Sequence, residues 1–201
     1  ARRRFGIEKE ALTPAELIRA LLKAPVDLLW FGGIGTYVKA REETNLEAGD
    51  RANDALRVDA HDLRCKVIGE GANLGLTQRG RIEAAMAGRR LNTDAIDNSA
   101  GVDTSDHEVN IKILTGMLER TGQLTRKRRD TLLKSMTDDV GRHVLAHNYD
   151  QTLALSLMEM DAVGELEPLA RFMSDLEHRG RLDRTVEGLP DAAVIAELAA
   201  A

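Results

Sequence analysis

The chain has 201 residues, 43% hydrophobic and 30% charged, the composition of a globular protein long enough to bury a core. A formal net charge of −5 gives no electrostatic case for nucleic acid as the main partner, and no apolar run reaches the ~18–20 residues that span a bilayer. With aromatics at 3%, the core must rest on Leu, Val, Ile, Ala and Met. The single cysteine, Cys65, excludes an internal disulfide and points to a reducing, cytoplasmic setting. The basic start "ARRR" is not followed by the apolar stretch of a signal peptide, and Ala1 in place of Met leads us to expect a fragment of a longer chain.

Thr13 before Pro14 predicts a helix start, with Glu16 closing a capping box and Leu17, Ile18, Leu21 and Leu22 forming its apolar face. "PVDLLWF" (25–31), ended by glycines, reads as a buried parallel strand. The charged stretch 36–62 reads as loop and helix. A second strand is expected at 66–69, a helix at 77–86 and a third short strand around 91–96. That β-α-β-α-β order implies a parallel sheet with right-handed crossovers. From Ser105 onward the pattern is helical. Val109, Ile113 and Leu118 lie near one face of a helix that stops at Gly122. Further helices are expected at 127–145, 150–160 and 166–178, then a turn-rich segment at 180–190 and a final Ala-rich helix. The pattern is a partial α/β domain followed by a helical region.

Gly69, Gly71 and Gly75 form a G-x-G-x-x-x-G spacing between a predicted strand and a predicted helix. Such glycines either permit a tight structural turn or let backbone N–H groups approach a pyrophosphate, with Asp94 near the position of a ribose-binding acid. Asn73 in this turn carries a carboxamide that can pair with another amide or cap the turn. The second polar concentration is 94–110. There Ser105 is placed as an N-cap with Glu108 closing a capping box, and the same helix N-terminus could bind a carboxylate. A calcium loop from Asp97 to Glu108 fails because Val102 occupies the position that needs glycine. His143 and His147 have zinc-site spacing, but "HVLAH" lacks the metalloprotease Glu and shows no third ligand, so packing or surface placement is expected and no metal. "RKRRD" (126–130) reads as a solvated helix face, and Met158 and Met160 as packing residues. Asp138 and Asp139 receive no role.

The segments "VIGEGAN" (67–73) and "NSAGVDTSDHE" (98–108) resemble the end of the cofactor domain of glutamate dehydrogenases. "DLLWFGGIGTYVKA", "GDRANDALRV", "GEGANLGLTQRGRIE" and "NTDAIDNSAGVDTSDHEVNIKI" are more specifically similar to the large, NAD-specific bacterial enzymes. The likeness is close over residues 14–114 and looser beyond. It implies an α/β fold, the distal part of a Rossmann-type parallel sheet followed by an all-helical region, divided as a partial NAD-binding domain (1–105) and a helical C-terminal region (106–201). It also implies that the family's diphosphate glycines lie upstream, so the spacing at 69–75 is a decoy.

By the same resemblance, Gly32, Gly33, Gly71, Asn73 and Asn98 are expected at the NAD cofactor, and Asn98, Val102 and Ser105 at the substrate, L-glutamate or 2-oxoglutarate. Ser105 matches the serine that hydrogen-bonds the substrate's side-chain carboxylate. The family's catalytic lysine and aspartate have no counterpart here, so no catalytic residue is assigned and the isolated chain is expected to be inactive. The full protein is expected to be a homo-oligomer with no nucleic-acid or membrane partner. "SAG" replaces the usual "AGG", and Asp106-His107 replaces small and aromatic residues after the serine. Two other classes stay open on the residues alone: a non-catalytic helical assembly module, and an independent small nucleotide-binding domain using Gly69, Gly71 and Gly75.

Overall fold

The structure, a computed structural model, describes residues 5–7, 9–162 and 164–200; the "ARRR" start lies outside them. Helix α1 (Pro14–Leu22) begins as its sequence requires. Thr13 accepts the Glu16 N–H, and the Glu16 carboxylate accepts the Thr13 N–H at 2.9 Å. A hydrogen bond from Lys9, then those from Thr13, hold the Glu16 carboxyl down at about 2.

Two parallel strand pairs follow. β1 (Leu28–Phe31) pairs with β4 (Val67–Glu70), in the register Leu28–Val67 to Phe31–Glu70. β2 (Val38–Lys39) pairs with β3 (Val58–Asp59). The second pair falls in the stretch read as loop and helix. Two-residue strands leave no periodicity to read. A short helix, α2 (Asn45–Ala48), and 3-10 turns at Arg51–Asn53 and Ala60–Asp62 fill the remainder of that stretch.

Along β1 the side chains alternate as strand geometry demands: Phe31 is buried, whereas Leu28 and Trp30 are more than half exposed. Phe31, Val38, Val58, Leu63, Ile68 and Leu76 form the centre of the core. Each such side chain contributes roughly 1.5–3 kcal/mol by leaving water. α3 (Gln78–Met86) starts where expected, with Thr77 accepting the Gly80 N–H at 3.0 Å.

The third strand expected at 91–96 does not form. Parallel pairing on that edge of β4 is confined to Arg90, which bonds Lys66 and Ile68, and the chain then turns into α4 (Asp94–Asp97). Two aspartates of α4 hold backbone amides at the end of β4, and that attachment takes the place of a strand ladder.

α5 (Asp103–Arg120) starts earlier than the sequence indicated, with Val102 as N-cap. The Asn98 carbonyl accepts the N–H groups of Gly101 and Val102, and Ser99 O accepts that of Thr104, so the turn runs straight into the helix. Ser105 therefore sits inside the first turn, and its capping box with Glu108 does not form; Glu108 pairs with Lys112 instead.

The expected helices at 127–145 and 150–160 become α6 (Arg126–Ser135) and one long helix, α7 (Thr137–Asp161). The break falls where Ser135 Oγ and Thr137 Oγ hydrogen-bond carbonyls three residues back. No Gly or Pro occurs at 142–161 to interrupt α7 again. α8 (Leu166–His178), α9 (Arg184–Glu187) and α10 (Ala192–Ala200) complete the order.

The chain divides into two compact units, residues 1–151 and 152–201. Within the second, α10 packs on α8 with Ile195 buried, and Arg184 bonds Glu177 and Ser174. Among the described residues no helix is long and apolar enough to cross a membrane.

Candidate cofactor and substrate site

The candidate site gathers at the C-terminal ends of β1 and β4, where parallel sheets characteristically hold ligands. Its foundation is Glu70, the last residue of β4 and fully buried. A carboxylate there needs a partner, and Arg81 from α3 supplies a two-pronged one at 2.6 and 2.9 Å. Glu70 Oε2 also accepts the Leu76 N–H at 3.2 Å, tying the strand to the far side of the turn. Burial alone would lower the Arg81 pKa, but bonding to Glu70 and the charges of Glu70, Asp94 and Asp97 hold it above its ordinary value.

Between Glu70 and Leu76 the chain makes a tight turn through Leu74, whose φ is +60, rare for a residue with a branched side chain. Asp94 Oδ2 accepts the Leu74 N–H at 2.8 Å and Asp97 Oδ2 accepts that of Glu70 at 3.0 Å. Asp94 is thus engaged by the turn and, at 3.2 Å, by Arg81. The glycine spacing put it near the position of a ribose-binding acid; its bonds make it a brace.

The three glycines also have packing explanations. A Cβ on Gly69 or Gly71 would come within 2.4 or 2.3 Å of the Trp30 indole, and one on Gly75 within 3.2 Å of Glu70 and Phe31. Gly69 and Gly71 thus make room for Trp30, and Gly75 for Glu70 and Phe31.

That braced turn presents Asn73, and the end of α4 presents Asn98. The two carboxamides meet: Asn98 Nδ2 donates to Asn73 Oδ1 at 2.8 Å, across 25 residues of chain. Asn73 Nδ2 and Asn98 Oδ1 have no other partner among the described residues. The pair therefore leaves a donor group, Asn73 Nδ2, and an acceptor, Asn98 Oδ1, unengaged. Gly101 permits this, since a Cβ there would lie 2.7 Å from Asn98 Oδ1.

Gly32 and Gly33 lie in the exposed loop after β1. Nothing stands within 4 Å of the place where a Gly33 side chain would begin. The loop rests on a polar knot missed in the sequence. Buried Arg57 donates to Thr36 O at 2.9 Å and to Asn45 and Asp54, and Asp50 accepts the Thr36 N–H at 2.8 Å. Bonds from Asn53 and then Thr36 lower the Asp50 pKa. An arginine closing an acid-rich stretch ("GDRANDALR") is the signal that could have revealed it.

Val102 and Ser105 occupy the start of α5. Val102 is half-buried, while Ser105 is exposed and its hydroxyl has no hydrogen-bond partner among the described residues. A cleft of about 390 Å3 between α5, α6 and α7, lined by Thr104, Leu133 and Val140 among others, contains none of the residues assigned from sequence.

Relatives of this chain are well defined. It is 58% identical over 186 residues to the NAD-specific glutamate dehydrogenase of Halomonas elongata, an alignment covering 92% of this chain and 12% of that protein. It is 56% identical over 194 residues to the protein of that name from Pseudomonas aeruginosa, covering 96% of this chain and 12% of the relative. The Mycobacterium tuberculosis protein of the same name is 50% identical over 185 residues, with 92% and 11% covered. The chain thus spans about 12% of the length of these curated relatives. Residues 1–158 match the family described as bacterial NAD-glutamate dehydrogenase, catalytic domain, and the chain belongs to that family.

Proposed function

We propose that this chain supplies the nicotinamide-side and substrate-carboxylate contacts of an enzyme that oxidatively deaminates L-glutamate with NAD to 2-oxoglutarate and ammonia. The observation that carries the reading is the Asn73–Asn98 carboxamide pair at the end of β4. The residues fit the cofactor: an unengaged donor group and an unengaged acceptor are the complement of a nicotinamide carboxamide. Asn73, Asn98 and Gly71 would hold that end, with Gly32 and Gly33 in the loop after the neighbouring strand. Gly33 suits close approach, because its surroundings leave open space where another residue would place a side chain.

Bound NAD supplies the hydride acceptor; the contribution of these residues is orientation. The paired carboxamides fix the plane of the nicotinamide amide. The Ser105 hydroxyl, in the first turn of α5, donates to the remote carboxylate of glutamate, assisted by the helix dipole, and Val102 packs beside the substrate. Asp103 and Asp106 share that first turn, and Asp103 is turned towards His147. In this reading residues 1–105 are the distal part of a Rossmann-type domain, 106–201 are its helical continuation, and the full polypeptide works in the cytoplasm as a homo-oligomer. The chain alone is inactive.

The test is glutamate-dependent NADH formation by the full polypeptide that carries this chain. Turnover is expected. Ser105→Ala should raise the glutamate KM roughly ten- to hundredfold, the worth of a hydrogen bond to a charged group. Asn73→Ala should lower kcat with a smaller effect on that KM. Absence of turnover would overturn the reading, and an unchanged KM in Ser105→Ala would remove Ser105 from the site.

A further inference from the structure

Outside this site, α5 and α7 bring four side chains together that the sequence leaves far apart. Asp103 and His107 lie one turn apart on α5, as do His143 and His147 on α7. His147 Nδ1 lies 2.9 Å from Asp103 Oδ2, and His107 Nε2 lies 3.5 Å from Asp103 Oδ1. One donor atom from each of these three residues falls within 4.8 Å of the others. The three imidazole rings also cluster, with centroids 5.5 to 6.3 Å apart. The sequence showed the His143–His147 spacing but no third ligand; the third and fourth groups come from a helix 36 to 44 residues upstream.

A simple tie between helices accounts for the His147–Asp103 contact alone. It does not account for His107, whose Nε2 is buried, faces the same carboxylate and has no hydrogen-bond partner among the described residues. A buried ring nitrogen without a partner is costly. We infer that Asp103, His107 and His147 form a binding site for a divalent transition-metal ion of the zinc class, with the ring of His143 next to the fourth position.

Zinc bonds of about 2.0–2.2 Å to nitrogen and oxygen set tetrahedral edges of roughly 3.3–3.6 Å. The contacts of His147 and His107, each to a different oxygen of Asp103, bracket that span, and with all three donors within 4.8 Å of one another small side-chain rotations would close them on one ion. The donor set selects the ion: imidazole nitrogens favour zinc, cobalt or nickel over magnesium or calcium, which take oxygen. Such an ion would pin the first turns of α5 to the middle of α7 within the first unit.

The test uses the full polypeptide, stripped with chelator and titrated with ZnCl2 by calorimetry and with CoCl2 by visible absorption. His107→Ala and Asp103→Asn should each weaken binding at this site by at least tenfold, since even the loss of a group behind a ligand costs about 10–100-fold. His178→Ala, outside the cluster, should leave binding unchanged. The Co2+ difference spectrum, unmodified protein minus Asp103→Asn, should show tetrahedral d–d bands. Asp103→Asn preserves size and polarity, so it serves if circular dichroism shows that His107→Ala has not folded. Zinc affinity and stoichiometry equal to those of the unmodified protein in the folded variants, or a featureless cobalt difference spectrum, would overturn the site.

Discussion

The turn at 69–75 and the helical run from Asp103 to Asp161 are held by opposite means. Around the turn, side chains distant in sequence fix individual backbone amides. Asp94, Asp97 and Glu70 hold the amides of Leu74, Glu70 and Leu76, and Arg81 neutralises the buried charge. In the helices, α5 buries only Thr115 and α7 only Val144, while α6 buries no residue. Their bonds are largely local: the Thr125 cap and pairs one turn apart such as Glu108–Lys112 and Arg126–Asp130. A turn with φ of +60 at Leu74 needs tertiary restraint to persist, whereas a helix supplies most of its own hydrogen bonds. The turn is therefore the more tightly restrained of the two regions, and substitutions there should cost far more.

Glu70→Ala should be the most damaging change. It leaves Arg81 buried without its main partner and frees the Leu76 amide, so a loss of about 3–5 kcal/mol is expected in urea unfolding. A cost near that of an exposed ion pair would remove the contrast between the regions.

Gly71→Ala comes next, at about 1–3 kcal/mol, because the added methyl meets the Trp30 indole. In a Trp30→Ala background the same change should cost clearly less. Equal costs in both backgrounds would show that Trp30 is not what requires the glycine.

The smallest effect belongs to the helices. Lys112→Ala removes an exposed pair with Glu108 and should shift stability by no more than about 0.5 kcal/mol, diminishing with added salt. A larger, salt-independent loss would mean that α5 depends on tertiary contacts after all.

Much of the local structure was legible in the residues. Thr13-Pro14 with Glu16, the glycine stop at Gly122 and the run from Leu166 to His178 all mark elements that form. Errors arose where one segment responded to another. The strand expected at 91–96 became α4 because Asp94 and Asp97 bond the end of β4. Ser105 lost its capping position because the Asn98 and Ser99 carbonyls began the helical turn sooner. The break at Met136 came from hydroxyls competing for carbonyls, a choice open to any Ser or Thr in a helix.

The sequence by itself determined α1, β1, β4, α3 and α8, the family likeness and the residue types at the strand ends, because capping, periodicity and motif spacing act within a few residues. Only the tertiary structure decided that Asn73 and Asn98 form one amide pair, that Gly69 and Gly71 serve Trp30, and that His107 joins Asp103 and His147. Each of those facts joins groups brought together by packing. Composition and spacing record which groups are present; burial and the need to partner every enclosed charge and amide determine where they meet.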